Sequence, residues 1–513
     1  MRGLKGFLAG LSLALLATPA LADPWNVAET AHFRIYSQGP TAELSRRAAM
    51  LEDYRSLLEA STTRGAIKVA EPKLDIFLVE NMPTSRPFTP MSKLVAGIYI
   101  ASPTRIAAYA DAGDKQDQTT LLHEYAHHFM LGTSGAVAYP AWYVEGFAEY
   151  FSTAKFAPQS IEVGDIDTGR TSWLVYSDKW LPLEKVLSGD YSWRSSEEVS
   201  LFYAQSWLMT HYMYRNPELT PKLGAYLAAV AAGQDSVAAF KQHVAENLSG
   251  FQRLLRAYLM RQKLTYTKYS RSPKTPASVV VTPLPPAADP MLLQLTNLEF
   301  GIGDDKRDKA LAAIKASAAR YPGDPLAERT LAYADLRYGD RAAAIARLDT
   351  LIAADPKDAA LLRWRGEAEL PGDKGGMVSA EQMKAARVWF ARSFKANPED
   401  WRTLYLYAML DNPYGNTMKP QTLDVLLRAH ELAPQVEHIG MAAAMGLARA
   451  DRLPEAAAKL APIANSPHGG SIGEAAAALL PLARAGNSQA FIEGYEAARE
   501  VQGKATEDEG DEP

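Results

Sequence analysis

Between Ser272 and Pro286 the chain carries the runs Ser272-Pro273-Lys274-Thr275-Pro276 and Thr282-Pro283-Leu284-Pro285-Pro286. No helix interior accepts that proline density, because each ring removes a backbone donor and clashes with the preceding turn. Residues 270–290 are therefore expected to be a proline-rich linker. The 513 residues leave enough chain on either side for a buried core. Before the break, residues 23–269 hold strand-like runs at His32 to Ser37, Leu74 to Val79 and Val95 to Ala101, with a helical stretch from Ala42 to Ala60 between the first two. From Gln116 to Lys268 the pattern is mainly helical. Strands first and helices later is the order of an α+β domain.

After the break the sequence turns alanine-rich and repeats itself. The pairs Asp324-Pro325, Asp355-Pro356, Asn397-Pro398 and Ala433-Pro434 are spaced 31, 42 and 36 residues apart, each at the junction of two helical runs. Ala332, Gly339, Ala343 and Ala344 are small enough for antiparallel helices to approach closely. Pro371-Gly372-Asp373-Lys374-Gly375-Gly376 accounts for the longest interval as an insertion. The pattern resembles the tetratricopeptide repeat, whose period is about 34 residues. Residues 291–497 are thus expected to form an all-α, tetratricopeptide-like solenoid offering a face to a protein partner. Residues 498–513 carry Glu507, Asp508, Glu509, Asp511 and Glu512 and read as an acidic, disordered tail.

Residues 1–22 have the form of a secretory signal peptide. Arg2 and Lys5 precede an apolar run from Phe7 to Leu16, which ends in Ala20-Leu21-Ala22 before Asp23. The run is shorter than the roughly 20 residues that a spanning helix needs, and no later segment matches such a span. The chain has a formal net charge of −5, and loss of the leader's two basic residues takes it to −7. With five acids in the tail, the folded body is near neutral, which argues against nucleic acid as a partner, since that calls for a basic patch or stripe. There is no cysteine, so disulfides, thiolate metal sites and cysteine nucleophiles are excluded. An exported chain of this kind is expected in a periplasm. Any metal must be held by histidine and carboxylate.

Three of the nine histidines lie in Leu122-His123-Glu124-Tyr125-Ala126-His127-His128. On a helix His123 and His127 share one face and can bind the same ion through imidazole nitrogens. Glu124 points about 100° away, toward a water rather than the ion. A catalytic zinc takes a third protein ligand, and Glu145, in Ala141-Trp142-Tyr143-Val144-Glu145-Gly146-Phe147-Ala148-Glu149-Tyr150, starts a second helix after the turn-rich Gly132 to Pro140. Glu149 is four residues further on the same face, placed to accept from the far nitrogen of a ligand histidine. His128 and His211 are read as structural. Trp173, Trp180, Tyr191 and Trp193 are read as core or cleft wall.

This pair of motifs resembles the gluzincin metallopeptidases, the thermolysin and aminopeptidase N type, over roughly residues 90–265. Trp142, Glu145, Gly146, Phe147, Ala148 and Tyr150 match the W-x-N-E-G-F-A-x-Y pattern of the aminopeptidase branch. Val144 stands for its asparagine, and Glu149 stands where thermolysin-like enzymes have aspartate. Tyr203-Ala204-Gln205-Ser206-Trp207-Leu208 looks like the family helix that opens with a transition-state tyrosine, with Ser206 for the usual glycine. The G-x-M-E-N exopeptidase signature is lacking, and Ala96-Gly97-Ile98-Tyr99 occupies the comparable region. The resemblance implies an α+β, gluzincin-like metallopeptidase domain ahead of the solenoid. It implies Zn²⁺ on His123, His127 and Glu145, with Glu149 behind them, Glu124 as general base and Tyr203 as oxyanion donor. The strand edge around Val95 to Ile100 would hold an extended peptide. The competing expectation is a non-catalytic periplasmic repeat adaptor with a vestigial peptidase domain. A third is a zinc hydrolase acting on an amide outside proteins, such as a cell-wall peptide.

Overall fold

The computed structural model describes residues 23–62, 72–80, 97–112, 117–133, 137–166, 168–177, 179–189, 195–261, 264–271, 278–372, 377–412, 414–466 and 469–497. The expected leader and acidic tail lie outside the described residues, as do Tyr191, Trp193 and 373–376 of the insertion.

The described strands are β1 (Asn26–Glu29), β2 (Phe33–Ser37), β3 (Leu74–Val79), β4 (Gly97–Ala101), β5 (Ile106–Asp111), β6 (Lys155–Ala157), β7 (Ser160–Val163), β8 (Thr267–Ser270) and β9 (Val280–Pro283). Six of them form one sheet in the order β4-β5-β3-β2-β1-β9. β3 is parallel to both β2 and β5, and the remaining pairs are antiparallel. All six residues of β3 are buried, as a strand covered on both faces is, and its one charged residue, Asp75, is paired with Arg34 and Arg105. Its side chains divide with the period of two: Ile76 and Leu78 enter one core, Phe77 and Val79 another.

The first core is roofed by α1 (Thr41–Ser61), whose Leu44, Ala48, Leu51, Tyr54 and Leu58 repeat at helical spacing, and by α2 (Asp117–Thr133) through Leu122, Tyr125 and Phe129. Next come α3 (Ala141–Ser152), α4 (Thr168–Tyr176), α5 (Leu183–Ser188) and α6 (Ser196–Arg215), then α7 (Thr220–Ala231), α8 (Ser236–His243) and α9 (Leu248–Arg261). Every residue of α3 is buried, Glu145 and Glu149 included. Gly146 allows this, since a Cβ there would collide with the Ser206 carbonyl and the Thr210 hydroxyl of α6.

The expected linker is corrected by the structure. Residues 272–277 lie outside the described residues, but Val280–Pro283 is strand β9, paired with β1 in the register Val27↔Thr282 and Ala28↔Val281. The β-branched run Val279-Val280-Val281-Thr282 supplies the strand, and an edge position tolerates the proline that closes it. Helix α10 (Ala288–Phe300) then lays Ala288 and Leu292 over Phe77, Val79, Ala107 and Tyr109, which seals the second face of the sheet. The first helix of the repeats is therefore also a layer of the α+β half.

Beyond α10 the chain runs in helix pairs, among them Pro325–Tyr338 with Arg341–Ala354, Ala359–Glu367 with Ala380–Ala396, Trp401–Met409 with Pro420–Leu432, and Glu437–Arg449 with Leu453–Ala464. The Asp-Pro signals act at helix starts. Asp324 caps Pro325–Tyr338 by accepting from the Leu326 and Ala327 amides, and Pro325 occupies the first turn. Asp355-Pro356 lies in the turn before Asp358, which caps the next helix. Among the described residues no helix is long and apolar enough to cross a membrane.

Candidate metal centre

α2 and α3 present their polar side chains to one another inside an otherwise apolar core. His123 Nε2 and His127 Nε2 lie 3.0 Å apart, and Glu145 Oε2 is 3.7 Å from the first and 3.5 Å from the second. One donor atom from each falls within 4.8 Å of the others. Ligands about 2.1 Å from a tetrahedral ion sit roughly 3.4 Å from one another, so the three donors fit a single ion of zinc type. Two imidazoles and a carboxylate are also the donor set that suits zinc. Glu145 is fully buried beside two imidazoles, which makes a cation among them the natural compensation for its charge.

Behind this cluster Glu149 Oε1 lies 3.4 Å from His123 Nδ1. A carboxylate on that side favours the tautomer with a proton on Nδ1, leaving the Nε2 lone pair for an ion. Glu149 is itself clamped by Arg170 of α4, whose Nε donates to Oε2 at 2.9 Å and whose Nη2 donates to Oε1 at 2.6 Å. The Arg170 guanidinium also lies over the Tyr203 ring, 5.0 Å from its centroid. The Tyr203 ring is centred 6.5 Å from that of His123. Burial raises the Tyr203 pKa, and the nearby Glu145, Glu149 and Glu124 raise it further against the opposing Arg170. Its hydroxyl is thus held protonated and available as a donor.

Glu124, next to the first ligand candidate, accepts a hydrogen bond from the Tyr99 backbone amide at 3.1 Å. Tyr99 lies on β4, the edge of the sheet, so the edge expected to hold a peptide already gives one outward N–H to the candidate base. Val95 and Ala96 of that expected edge lie outside the described residues.

The two histidines read as structural are held neutral in the core. His128 takes the Tyr99 hydroxyl at Nδ1, 3.0 Å away, and burial, with Arg55 adding to it, lowers its pKa to about 3. His211 donates from Nε2 to the Gly164 carbonyl at 3.0 Å and accepts the Tyr258 hydroxyl at Nδ1 at 2.8 Å, with burial lowering its pKa to about 4. That contact fixes the loop leading into α4. At Gly164, where φ is +83°, a Cβ would run into the Tyr150 ring, so the loop presses directly on α3. Trp180 is buried as expected and donates to the Leu174 carbonyl at 3.0 Å, whereas Trp173, expected in the core or a cleft wall, is exposed on α4.

Sequence reasoning missed Arg170, and it placed Tyr99 on the strand edge without its contacts to Glu124 and His128. Each makes its contacts at the site only through the folding of a separate element against α2 and α3.

No protein-family model and no curated protein matches the sequence. Among solved structures, a thermophilic TPR protein of Thermus thermophilus aligns over 37% of this chain and 97% of its own, with 20% sequence identity and a TM-score of 0.30.

Proposed function

We propose that the chain is an exported, zinc-dependent peptidase, with His123, His127 and Glu145 holding the metal. The observation that carries this reading is the convergence of those three donors at ion-binding distances with Glu124 on the adjacent helix position. Zinc, when bound, would polarise a scissile carbonyl and lower the pKa of a coordinated water toward about 7. Glu124 would take a proton from the attacking water on its carboxylate and hand it to the leaving nitrogen. Tyr203 would donate its hydroxyl hydrogen to the carbonyl oxygen as negative charge builds there. Glu149, steadied by Arg170, would hold His123 in the ligating orientation. The main chain of β4 would align the substrate backbone, and the repeats, localised with the peptidase half in a periplasm, would recruit a protein substrate or partner.

The test is Glu124→Gln, which keeps size and shape but removes the base. The variant should bind one zinc per chain, as wild type does, and lose peptide hydrolysis. Metal analysis and cleavage of a peptide library on the same preparations decide it, and substantial turnover in the variant would defeat the role given to Glu124.

A further inference from the structure

The repeats touch the candidate site through a strand rather than through the metal helices alone. β4 is an edge strand, so among the described residues β5 is its one strand neighbour and other contacts must settle its distance from α2. Tyr99 provides two of them. Its amide is bonded to Glu124 and its hydroxyl to His128, residues four apart on α2, so that one side chain and its own backbone span a full turn of the helix.

On the opposite side stands the repeat half. Gln435, in the turn between Pro420–Leu432 and Glu437–Arg449, is only 7% exposed and its amide faces the Tyr99 hydroxyl. Burial pushes the Tyr99 phenol pKa well up, and Gln435 acts against that rise, as an amide donating toward the phenol oxygen does. Ala101 at the end of β4 and Ile106 at the start of β5 pack against the hydrophobic core of the later repeats. Ala138, between α2 and α3, is buried in the same core with 2% exposure. The turn joining β4 to β5 is pinned by Arg105, which pairs with Glu299 of α10 and with Asp75 of β3, and by Thr104, which donates to the Glu299 carbonyl. A cavity of about 350 Å³, lined in part by Ile106, His128, Trp401, Arg402 and Gln435, lies beside these contacts.

We propose that the repeat domain completes the site, with Gln435 a positioning residue that acts through Tyr99 to hold β4 and the Glu124 carboxylate against α2. The proposal rests on the peptidase reading for the role of Glu124, and it gives the repeats a part in the site besides recruitment.

Gln435→Met keeps the length of the side chain and removes its hydrogen bonding, and Tyr99→Phe removes the hydroxyl while leaving the amide to Glu124. Hydrogen exchange read by mass spectrometry on the full-length protein should rise in peptides covering 97–112 for both variants, with 23–62 and 437–464 unchanged. Zinc content should stay at the wild-type value while kcat falls about 10-fold, the scale on which supporting residues act. The double variant should match Tyr99→Phe alone, because both changes remove one chain of contacts. Unchanged exchange at 97–112, a rise spread over the whole chain, or additive losses in the double variant would overturn the proposal. A local rise in exchange in a protein that cleaves no peptide would uphold the positioning and sink the peptidase reading, so the two fail separately.

Discussion

Two buried carboxylates set the halves of the molecule apart. In the repeats Asp400 is 3% exposed, and its oxygens are taken by Arg363 at 2.6 Å, Arg402 at 2.7 Å and the Thr403 hydroxyl at 2.8 Å. Burial pushes the Asp400 pKa up, but Arg402 and Arg363 outweigh it and hold the carboxyl well below its ordinary range. In the α+β half Glu145 is more deeply buried, and its near neighbours are two imidazole nitrogens at 3.5 and 3.7 Å. Guanidiniums neutralise a carboxylate permanently, whereas a carboxylate beside two imidazoles offers the donor atoms that a metal ion takes. One arrangement cements helices together, and the other brings together a set of candidate metal donors.

The largest expected effect tests whether the halves can be separated at all. A chain ending at Ser270 lacks β9 and α10, which uncovers Phe77, Val79 and Tyr109 on one face of the sheet. Each such side chain contributes about 1.5–3 kcal/mol when buried, against a total stability of about 5–15 kcal/mol. The truncated chain should therefore be insoluble or unfolded by circular dichroism and size exclusion. A soluble, zinc-binding 23–270 fragment would restore the boundary at the prolines and make α10 a repeat helix only.

Exchanging three buried carboxylates, one at a time, for alanine sharpens the contrast. Glu145→Ala should lose zinc outright with the fold intact, and Glu149→Ala should lose about 10- to 100-fold in zinc affinity, as residues behind a ligand do. Asp400→Ala should leave zinc affinity alone and cost about 3–5 kcal/mol, because it takes from the buried Arg363 its 2.6 Å partner and leaves it Glu367 at 3.6 Å. Competition with a chelator and urea unfolding, run on all three, separate binding from stability. Greater zinc loss in Glu149→Ala than in Glu145→Ala would exchange their roles.

Tyr203→Phe probes the same half at smaller cost to the structure. It removes one hydroxyl beside Arg170 and leaves the ring packing. Turnover should fall by about 10² to 10³ with KM and melting temperature unchanged, since a donor to the developing oxyanion acts only in the transition state. An unchanged kcat would assign Tyr203 to packing.

How much of this was legible in the sequence depends on the distance over which each signal acts. His123, Glu124 and His127 are linked by helical periodicity, and Glu145 and Glu149 by the same rule one helix later, so their faces were readable before their meeting was. The starts of several repeat helices were readable for the same reason, because Asp324 and Pro325 act within one turn. β9 was hidden by its own flanks: proline density outweighed four β-branched residues, and only the pairing with β1, more than 250 residues earlier, decides between spacer and strand. Arg170 is an ordinary arginine in a nine-residue helix until the chain brings Glu149 to it. The strand edge carrying Tyr99 was readable, but its contact with Gln435 was not, since nothing local marks a contact between a sheet edge and a turn in a distant repeat.

The smallest expected effect asks whether the halves unfold together. His211 lies in the α+β half and His430 in the repeats, and burial lowers their pKa values to about 4 and about 3. In the unfolded chain both take a proton near pH 6.5. Between that value and their folded pKa values the unfolded state binds more protons, so stability rises with pH across this window. It is fully present above about pH 6.5 and is lost on acidification, by up to about 1.4 kcal/mol per pH unit for each histidine. His430→Leu removes one titrating group in an apolar setting, so the dependence of unfolding free energy on pH between 4.5 and 6 should flatten by about 1 kcal/mol per unit. If the interface through β9, α10 and Gln435 joins the halves into one cooperative unit, the flattening appears in a single urea transition whether it is followed by probes in the sheet or in the repeats. Two transitions, with the flattening confined to the repeat probe, would mean that the halves unfold independently and that the contacts between them are weak.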